Sequence, residues 1–217
     1  MKIKNKIIAL MISLIAMPTF TLAKDGPYIG AKAGIINIDF KSIEGINLGR
    51  IYADEYNALD LHAGYNIGNS FIEAGYIKSS DESKSLGSIT VGDLVVSGST
   101  NVEFDGWRIG AGHNFKINDQ ISIKPFINYY DLKIDETLTI TVEGSTTFRG
   151  SASASGSDNM VDAGLGLDYK VNENTKIGLS YSQTIDELKN TDKIQIYSLR
   201  IRILLFQHLE AIKLLAL

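Results

Sequence analysis

The chain has 217 residues, a formal net charge of −4 and no cysteine. Without cysteine, neither a disulfide framework nor a thiolate metal site is available. Charged residues make up 21% of the sequence without any basic tract, so no nucleic-acid partner is expected.

Residues 1–23 have the pattern of a secretory signal peptide. Three lysines precede the apolar run of residues 7–17, and the segment ends on the small-x-small pattern of residues 21–23. The alternative is an uncleaved anchor, but spanning a membrane takes roughly 20 apolar residues and Pro18 interrupts this run much earlier. Three of the 21 basic residues and none of the 25 acidic ones lie in the leader, so the mature chain would carry a net charge of −7.

The segments after the leader alternate apolar residues with glycine or charge at a period of two. Residues 28–35 read YIGAKAGI and residues 161–169 read VDAGLGLDY. This period is typical of β-strands, in which successive side chains face opposite sides. In chain order we predict eight strands, at residues 27–40, 56–67, 70–79, 102–115, 121–134, 159–170, 175–185 and 193–205.

The connections between these strands alternate in length. Three are short polar turns, at 66–70, 116–120 and 170–174, and three are long, at 41–55, 80–101 and 135–158. Short periplasmic turns and long external loops are typical of outer-membrane barrels. We therefore predict an all-β fold, an eight-stranded antiparallel up-and-down transmembrane β-barrel over residues 24–206. A soluble periplasmic barrel or sandwich is the alternative, because periodicity does not distinguish lipid from a protein core.

In a barrel of this kind we expect the apolar face of each strand to contact lipid and the polar face to fill the interior. Two long connections contain strand-like residues, 88–92 and 137–142, which we expect to extend their hairpins beyond the membrane. The serine, alanine and glycine run at 151–157 is expected to be a mobile loop.

Three short motifs lie on the predicted strands: GAKAG at 30–34, EAGY at 73–76 and GLDY at 166–169. They resemble the first, third and sixth strands of the outer-membrane protein A superfamily, which includes opacity-type surface proteins. The resemblance covers most of the mature chain. It implies location in the bacterial outer membrane, contact with membrane lipid and lipopolysaccharide, insertion by the barrel assembly machinery, and a host or surface ligand bound through the loops.

The resemblance also implies a set of charged residues inside the barrel. The family's lysine on the first strand and carboxylates on the third and sixth match Lys32, Glu73 and Asp168, and Arg108 resembles its fourth-strand base. Strand parity turns all four in the same direction as the glycines around them. We expect an ion-pair network that plugs the lumen, because an unpaired buried charge is costly, and the alternative is a gate that opens to ions. The seventh strand departs from the family, since Gly178 stands where an inward arginine is often found.

Three further polar residues have inward parity: Asp60, His62 and Lys176. His62 and Asp60 are the best candidates for a catalytic pair, but lipid-modifying barrels need a histidine beside a serine or an acid, and no serine follows His62 at the required spacing. The three histidines are scattered, at positions 62, 113 and 208. We therefore expect no catalytic residue, no cofactor and no metal site.

The C-terminal end is atypical. Residues 197–203 alternate well, whereas residues 204–206 interrupt the pattern and residues 207–217 form an apolar, helix-compatible tail. Barrels of the family usually end at an aromatic residue on the last strand. Either Phe206 is that residue with an extension behind it, or the reading frame changed near Leu204.

From these features we expect a non-enzymatic outer-membrane protein with a structural or adhesion-type surface role, exerted through its long external loops. The alternative is a narrow gated pore for ions or small solutes. A lipid-modifying enzyme comes third, and only because His62 and Asp60 are present.

Overall fold

The structure is a computed structural model that describes residues 26–186 and 191–205. The predicted leader, Phe206, His208 and the predicted tail lie outside these residues. The described part of the chain contains a short 3-10 helix, Leu48–Arg50, and twelve strands: β1 Gly26–Phe40, β2 Ser42–Ile43, β3 Ile46–Asn47, β4 Glu55–Ile67, β5 Ser70–Ser79, β6 Glu82–Val91, β7 Leu94–His113, β8 Phe115–Lys116, β9 Ile121–Glu143, β10 Phe148–Lys170, β11 Thr175–Thr184 and β12 Thr191–Leu204. Within this part, no helix is long and apolar enough to cross a membrane.

Eight of these strands close into a barrel. The order around the wall is β1, β4, β5, β7, β9, β10, β11 and β12, and β12 pairs again with β1. Every neighbouring pair is antiparallel. The predicted eight-stranded up-and-down barrel is therefore confirmed. We refer to its two ends as the short-turn end and the long-loop end.

The outer face of the wall is apolar. The most exposed large side chains include Leu61, Trp107, Leu165 and Leu199, each at least 58% exposed, and they alternate with residues that point inward. Tyrosines such as Tyr65 lie on the same outer face. This distribution is the one that contact with lipid requires.

The interior has two zones, which the sequence did not lead us to expect. Towards the short-turn end it is charged, whereas towards the long-loop end it is an apolar core that includes Ile36, Tyr56 and Phe104. The prediction of a polar interior is wrong for this second zone. The outer face becomes charged towards the same end, with exposed Asp39 and Lys78. Where the strands leave the lipid, water covers the outer face, and the inner face becomes the place to bury apolar groups.

A four-stranded sheet projects from the long-loop end. It consists of β6 and the adjoining parts of β7, β9 and β10, in that order, and covers residues 82–91, 94–102, 136–143 and 148–157. The prediction that the long hairpins continue as strands is confirmed. The prediction of a mobile loop at 151–157 is wrong, because Ser153 pairs with Thr137 and their hydroxyl oxygens lie 2.9 Å apart. Pairing with an existing strand outweighs the low strand propensity of small residues.

The last strand also differs from its predicted pattern. Leu204 points inward and packs against the aromatic cluster of Tyr28, Phe71 and Phe126, whereas Leu205 is 48% exposed. The alternation therefore continues through both leucines. The run of apolar residues was misleading because Leu204 occupies an inward position that is itself apolar, in a small aromatic cluster at the short-turn edge of the charged zone.

Candidate functional site: the charged lumen

Large side chains in the lumen are separated by glycines on neighbouring strands. Glu73 pairs in register with Gly64 on one side and Gly110 on the other. A Cβ atom at Gly110 would collide with Asn128 Oδ1 and lie 3.0 Å from Arg108 Nη1. An eight-stranded barrel is only just wide enough for its own side chains, so glycine at these positions provides the room for the charged groups.

Arg108 on β7 is the centre of the network, and it is only 1% exposed. Its Nε donates to Asp60 Oδ2 at 2.6 Å, and its Nη1 donates to Glu73 Oε1 at 2.7 Å. Nη1 also donates to Asn128 Oδ1 at 2.8 Å. The guanidinium thus joins carboxylates from two strands, a geometry for which arginine is well suited.

Glu73 on β5 is surrounded by further donors. It accepts from Tyr28 Oη at 2.9 Å, from Lys32 Nζ at 3.2 Å and from Lys124 Nζ at 3.5 Å. The structure therefore brings Lys32, Glu73 and Arg108 together. Sequence reasoning missed Lys124, which is fully buried and has its ammonium 3.6 Å from the centre of the Phe71 ring. Its inward parity on β9 was the available signal.

Asp168 belongs to a second cluster, which shares no ion pair with the first among the described residues but touches it where Arg202 lies 4.7 Å from the centre of the Tyr28 ring. The partners of Asp168 are Arg200, which donates to Oδ1, and Arg202, whose Nη2 lies 3.4 Å from Oδ2. The expected single network of four residues is therefore two clusters, and both arginines were missed. Gly178 pairs in register with Asp168 on one side and Arg200 on the other. Since a Cβ atom at Gly178 would collide with Asp168 Oδ1, the glycine provides the space in which acid and base meet.

Lys176 lies nearer the short-turn end. It lines a cavity of about 240 Å³ together with Asn66, Asn114, Lys116 and Lys170. It therefore has an inward position, as parity predicted, but at the mouth of the barrel.

Asp162 on β10 is a buried carboxylate that the predicted network did not include. It is 0% exposed and accepts from Asn128 at 2.7 Å, Tyr130 at 3.1 Å and Ser182 at 2.6 Å. Its hydrogen-bond donors are neutral groups. Asn128 also contacts Arg108, so Asp162 extends the network across β9 to β10.

The two histidines of the barrel each have a polar partner. His62 Nδ1 lies 2.7 Å from Asp60 Oδ1, but Arg108 holds the same carboxylate. His113 Nδ1 lies 3.0 Å from Ser70 Oγ, a pair that sequence reasoning missed because the two residues are on different strands. Both members of that pair are at least 96% buried, so neither is accessible to a substrate. Within the described residues, no group of three or more His, Asp or Glu side chains is placed to hold a metal ion.

The arrangement as a whole fills the lumen. Ion pairs link β1, β4, β5, β7 and β9 in the central cluster, and β10 to β12 in the other. Buried charges that are paired in this way satisfy each other. Because breaking such a pair is costly, a passing ion would not readily displace one of its members.

Comparison with known proteins agrees with this fold. The family model of the outer membrane protein beta-barrel domain matches residues 7–202, whereas no curated protein matches the chain. Neisserial surface protein A is 14% identical, with a TM-score of 0.51 over 82% of this chain and 96% of its own. Ail, the attachment invasion locus protein of Yersinia pestis, is 16% identical, with a TM-score of 0.42 over 82% of this chain and 99% of its own.

The N-terminal β-barrel domain of Pseudomonas aeruginosa OprF is 13% identical, with a TM-score of 0.43 over 83% of this chain and 98% of its own. At such identities the likeness to Neisserial surface protein A shows the fold alone. The family match, in contrast, spans most of the chain, including seven wall strands and most of β12. The chain therefore belongs to the outer membrane protein beta-barrel domain family, whose place is the bacterial outer membrane.

Proposed function

We propose that this protein is a non-enzymatic surface-interaction protein that binds an extended segment of a host or surface protein. The observation that carries the proposal is the free edge of the projecting sheet at residues 148–157 of β10. Among residues 26–186 and 191–205, only β9 pairs with these residues, because β11 joins β10 from Asp162 onward. Their other edge presents backbone N–H and C=O groups to the surroundings.

The two edges of the projecting sheet differ. The β6 edge has a register shift between Ser85 and Gly87 and carries the charged residues Glu82 and Lys84. Bulges and charges are devices that prevent strands from adding to an edge. Residues 150–157 of β10 have no charge, no proline and no register shift. The β10 edge is therefore suited to accept a further strand from a partner, with affinity supplied by main-chain hydrogen bonds.

The lumen supports a structural role more than a pore. A narrow pore for ions or small solutes would have to break the contacts of Arg108 with Asp60 and Glu73, each of which is 2.6–2.7 Å long. An enzyme would need the Asp60 carboxylate for His62, whereas Arg108 engages both of its oxygens. We further propose export through the leader, insertion by the barrel assembly machinery, and contact of the apolar wall with lipid and lipopolysaccharide.

The proposal is tested by substituting proline along the free edge. Along a strand, N–H groups point alternately towards the two sides, so Ser153→Pro and Ala154→Pro remove one N–H that faces β9 and one that faces outward. The full chain is displayed on a laboratory strain without adhesins, and cell retention is measured on surfaces coated with serum or matrix proteins. Heat-modifiable migration on gels shows whether each variant still folds.

We expect both variants to fold and the one that loses the outward N–H to lose retention. Ile89→Pro on the β6 edge serves as the matched control and should retain the cells. Retention that is the same for all variants would contradict the proposal, as would large conductance steps from the wild-type protein in planar bilayers, which would favour the pore.

A further inference from the structure

An apolar cavity of about 210 Å³ opens into the long-loop end of the barrel. Its wall includes Ile36, Tyr56, Phe104, Leu132, Met160 and Ile194, all of which are buried. A dry cavity of about 150 Å³ with a similar lining is large enough to bind benzene. The space is therefore sufficient for one aromatic ring with a short side chain.

The first loop of the barrel partly covers this cavity. Tyr52 Oη donates to Glu136 Oε1 at 3.0 Å, and Thr100 Oγ1 donates to the carbonyl oxygen of Ile51. The rings of Phe40 and Tyr52 pack at 5.5 Å between centroids. The loop is thus attached to β7 and β9, and the cavity has a defined rim.

Two hydroxyl groups in the wall have no hydrogen-bond partner among the described residues. Tyr56 is 1% exposed, and its Oη is buried without a partner, as is Oγ1 of Thr191. Buried polar groups in folded proteins are nearly always hydrogen-bonded. An apolar cavity with two unsatisfied hydroxyls fits an occupant that has an apolar body and a hydrogen-bonding head.

The charged residues at the rim determine which charge the ligand's polar head can carry. The carboxylates that line the cavity are Glu136 and Asp158, and none of the described lining residues is a lysine or an arginine. In this partly enclosed site the two carboxylates favour a positive charge and disfavour a negative one.

We propose that this cavity binds a small organic cation. Its body is an aromatic ring or a compact alkyl group, and this body carries a protonated amine. The apolar body lies against Met160 and Phe104, and the amine lies towards Glu136 and Asp158. This binding does not require strand addition at the β10 edge, although Glu136 lies at the base of the projecting sheet and pairs in register with Ala154.

The natural reporter for the test is Met160. It is one of four methionines, and the other three lie in the first 17 residues, so methyl-labelled protein without the leader gives one cavity signal. The protein is placed in zwitterionic lipid nanodiscs and titrated with 2-phenylethylamine and, separately, with 3-phenylpropanoate. The two probes share the ring and chain length but have opposite charge.

We expect the amine to shift the Met160 methyl signal with a Kd of about 1 mM, and the carboxylate to bind about ten-fold more weakly. Tyr56→Phe should weaken amine binding about five-fold, because it removes a hydroxyl that has no partner within the described residues and that the protonated amine would satisfy. Glu136→Gln, which can still accept from Tyr52, should reduce the preference for the amine, whereas Glu143→Gln, on the same strand but outside the cavity lining, should not.

Two results would overturn the proposal. One is the absence of any saturable shift of the Met160 methyl signal when the wild-type protein is titrated with the amine, although its heat-modifiable migration shows that it is folded. The other is equal affinity for the two probes, which would leave an apolar cavity without selection for a cation. Loss of surface retention with intact amine binding, or the reverse, separates this proposal from the proposed surface function.

Discussion

Replacing Arg108 with methionine tests whether the lumen is held closed by paired charges in a dry interior. Methionine keeps much of the apolar volume but leaves Asp60 with His62 as its remaining hydrogen-bonded partner. Glu73 keeps Lys32, Lys124 and Tyr28. Breaking a buried ion pair costs about 3–5 kcal/mol, and since one of the two carboxylates stays paired, we expect a loss at the low end, about 3 kcal/mol.

The assay is equilibrium unfolding in guanidinium of protein refolded into lipid vesicles. Lys78→Met is the matched control, because the Lys78–Glu103 pair is 3.9 Å long, its lysine side chain is 61% exposed, and such pairs are worth at most about 1 kcal/mol. The double variant Asp60→Asn, Arg108→Met should recover most of the loss, since it removes the carboxylate that has lost its arginine partner. If Arg108→Met costs no more than Lys78→Met, water reaches the lumen charges and the reasoning fails.

Three further outcomes are expected. Gly178→Ala should lower the free energy of unfolding by about 1–3 kcal/mol through overpacking. Gly150→Ala on the projecting sheet is the control and should leave the free energy of unfolding unchanged, because a Cβ atom there meets only the flexible ring of Phe148, at 3.4 Å. Leu204→Ala should cost about 2 kcal/mol in the same unfolding assay, and Leu205→Ala much less, if the alternation continues through both. Burial and its hydrogen bond to a carboxylate raise the pKa of Tyr52 to about 12. Docking of the first loop should therefore be complete below pH 10 and be lost as the pH rises through 12, and a phenolate absorbance titration of wild type against Tyr52→Phe measures this.

The sequence predicted the wall strands well because lipid and lumen impose strict alternation along each strand. The same parity placed Lys32, Glu73 and Arg108 inside the barrel. Parity did not show that Asp168 pairs with Arg200 and Arg202. Which side chains on different strands contact each other depends on the register between the strands, and the sequence of a single strand does not encode that register.

The apolar zone of the lumen escaped prediction for a different reason. Ile36 and Tyr56 share the inward parity of the charged residues, and a polar interior was assumed along the whole strand. The signal was on the opposite face, where outward residues such as Asp39 and Lys78 become charged and mark the level at which lipid gives way to water. The strand at 151–157 was missed because its residues have little strand propensity of their own.

The glycines between charged residues in the lumen have an evolutionary consequence. A glycine such as Gly178 can gain a side chain only if its neighbour Asp168 gives up space, so inward positions on adjacent strands are expected to change in pairs. The resemblance to the outer-membrane protein A superfamily implies an inward arginine where this chain has Gly178, and in this chain Arg200 pairs with that glycine from the next strand. Homologous barrels should therefore show covariation across strands in the lumen and independent drift among apolar residues on the lipid face.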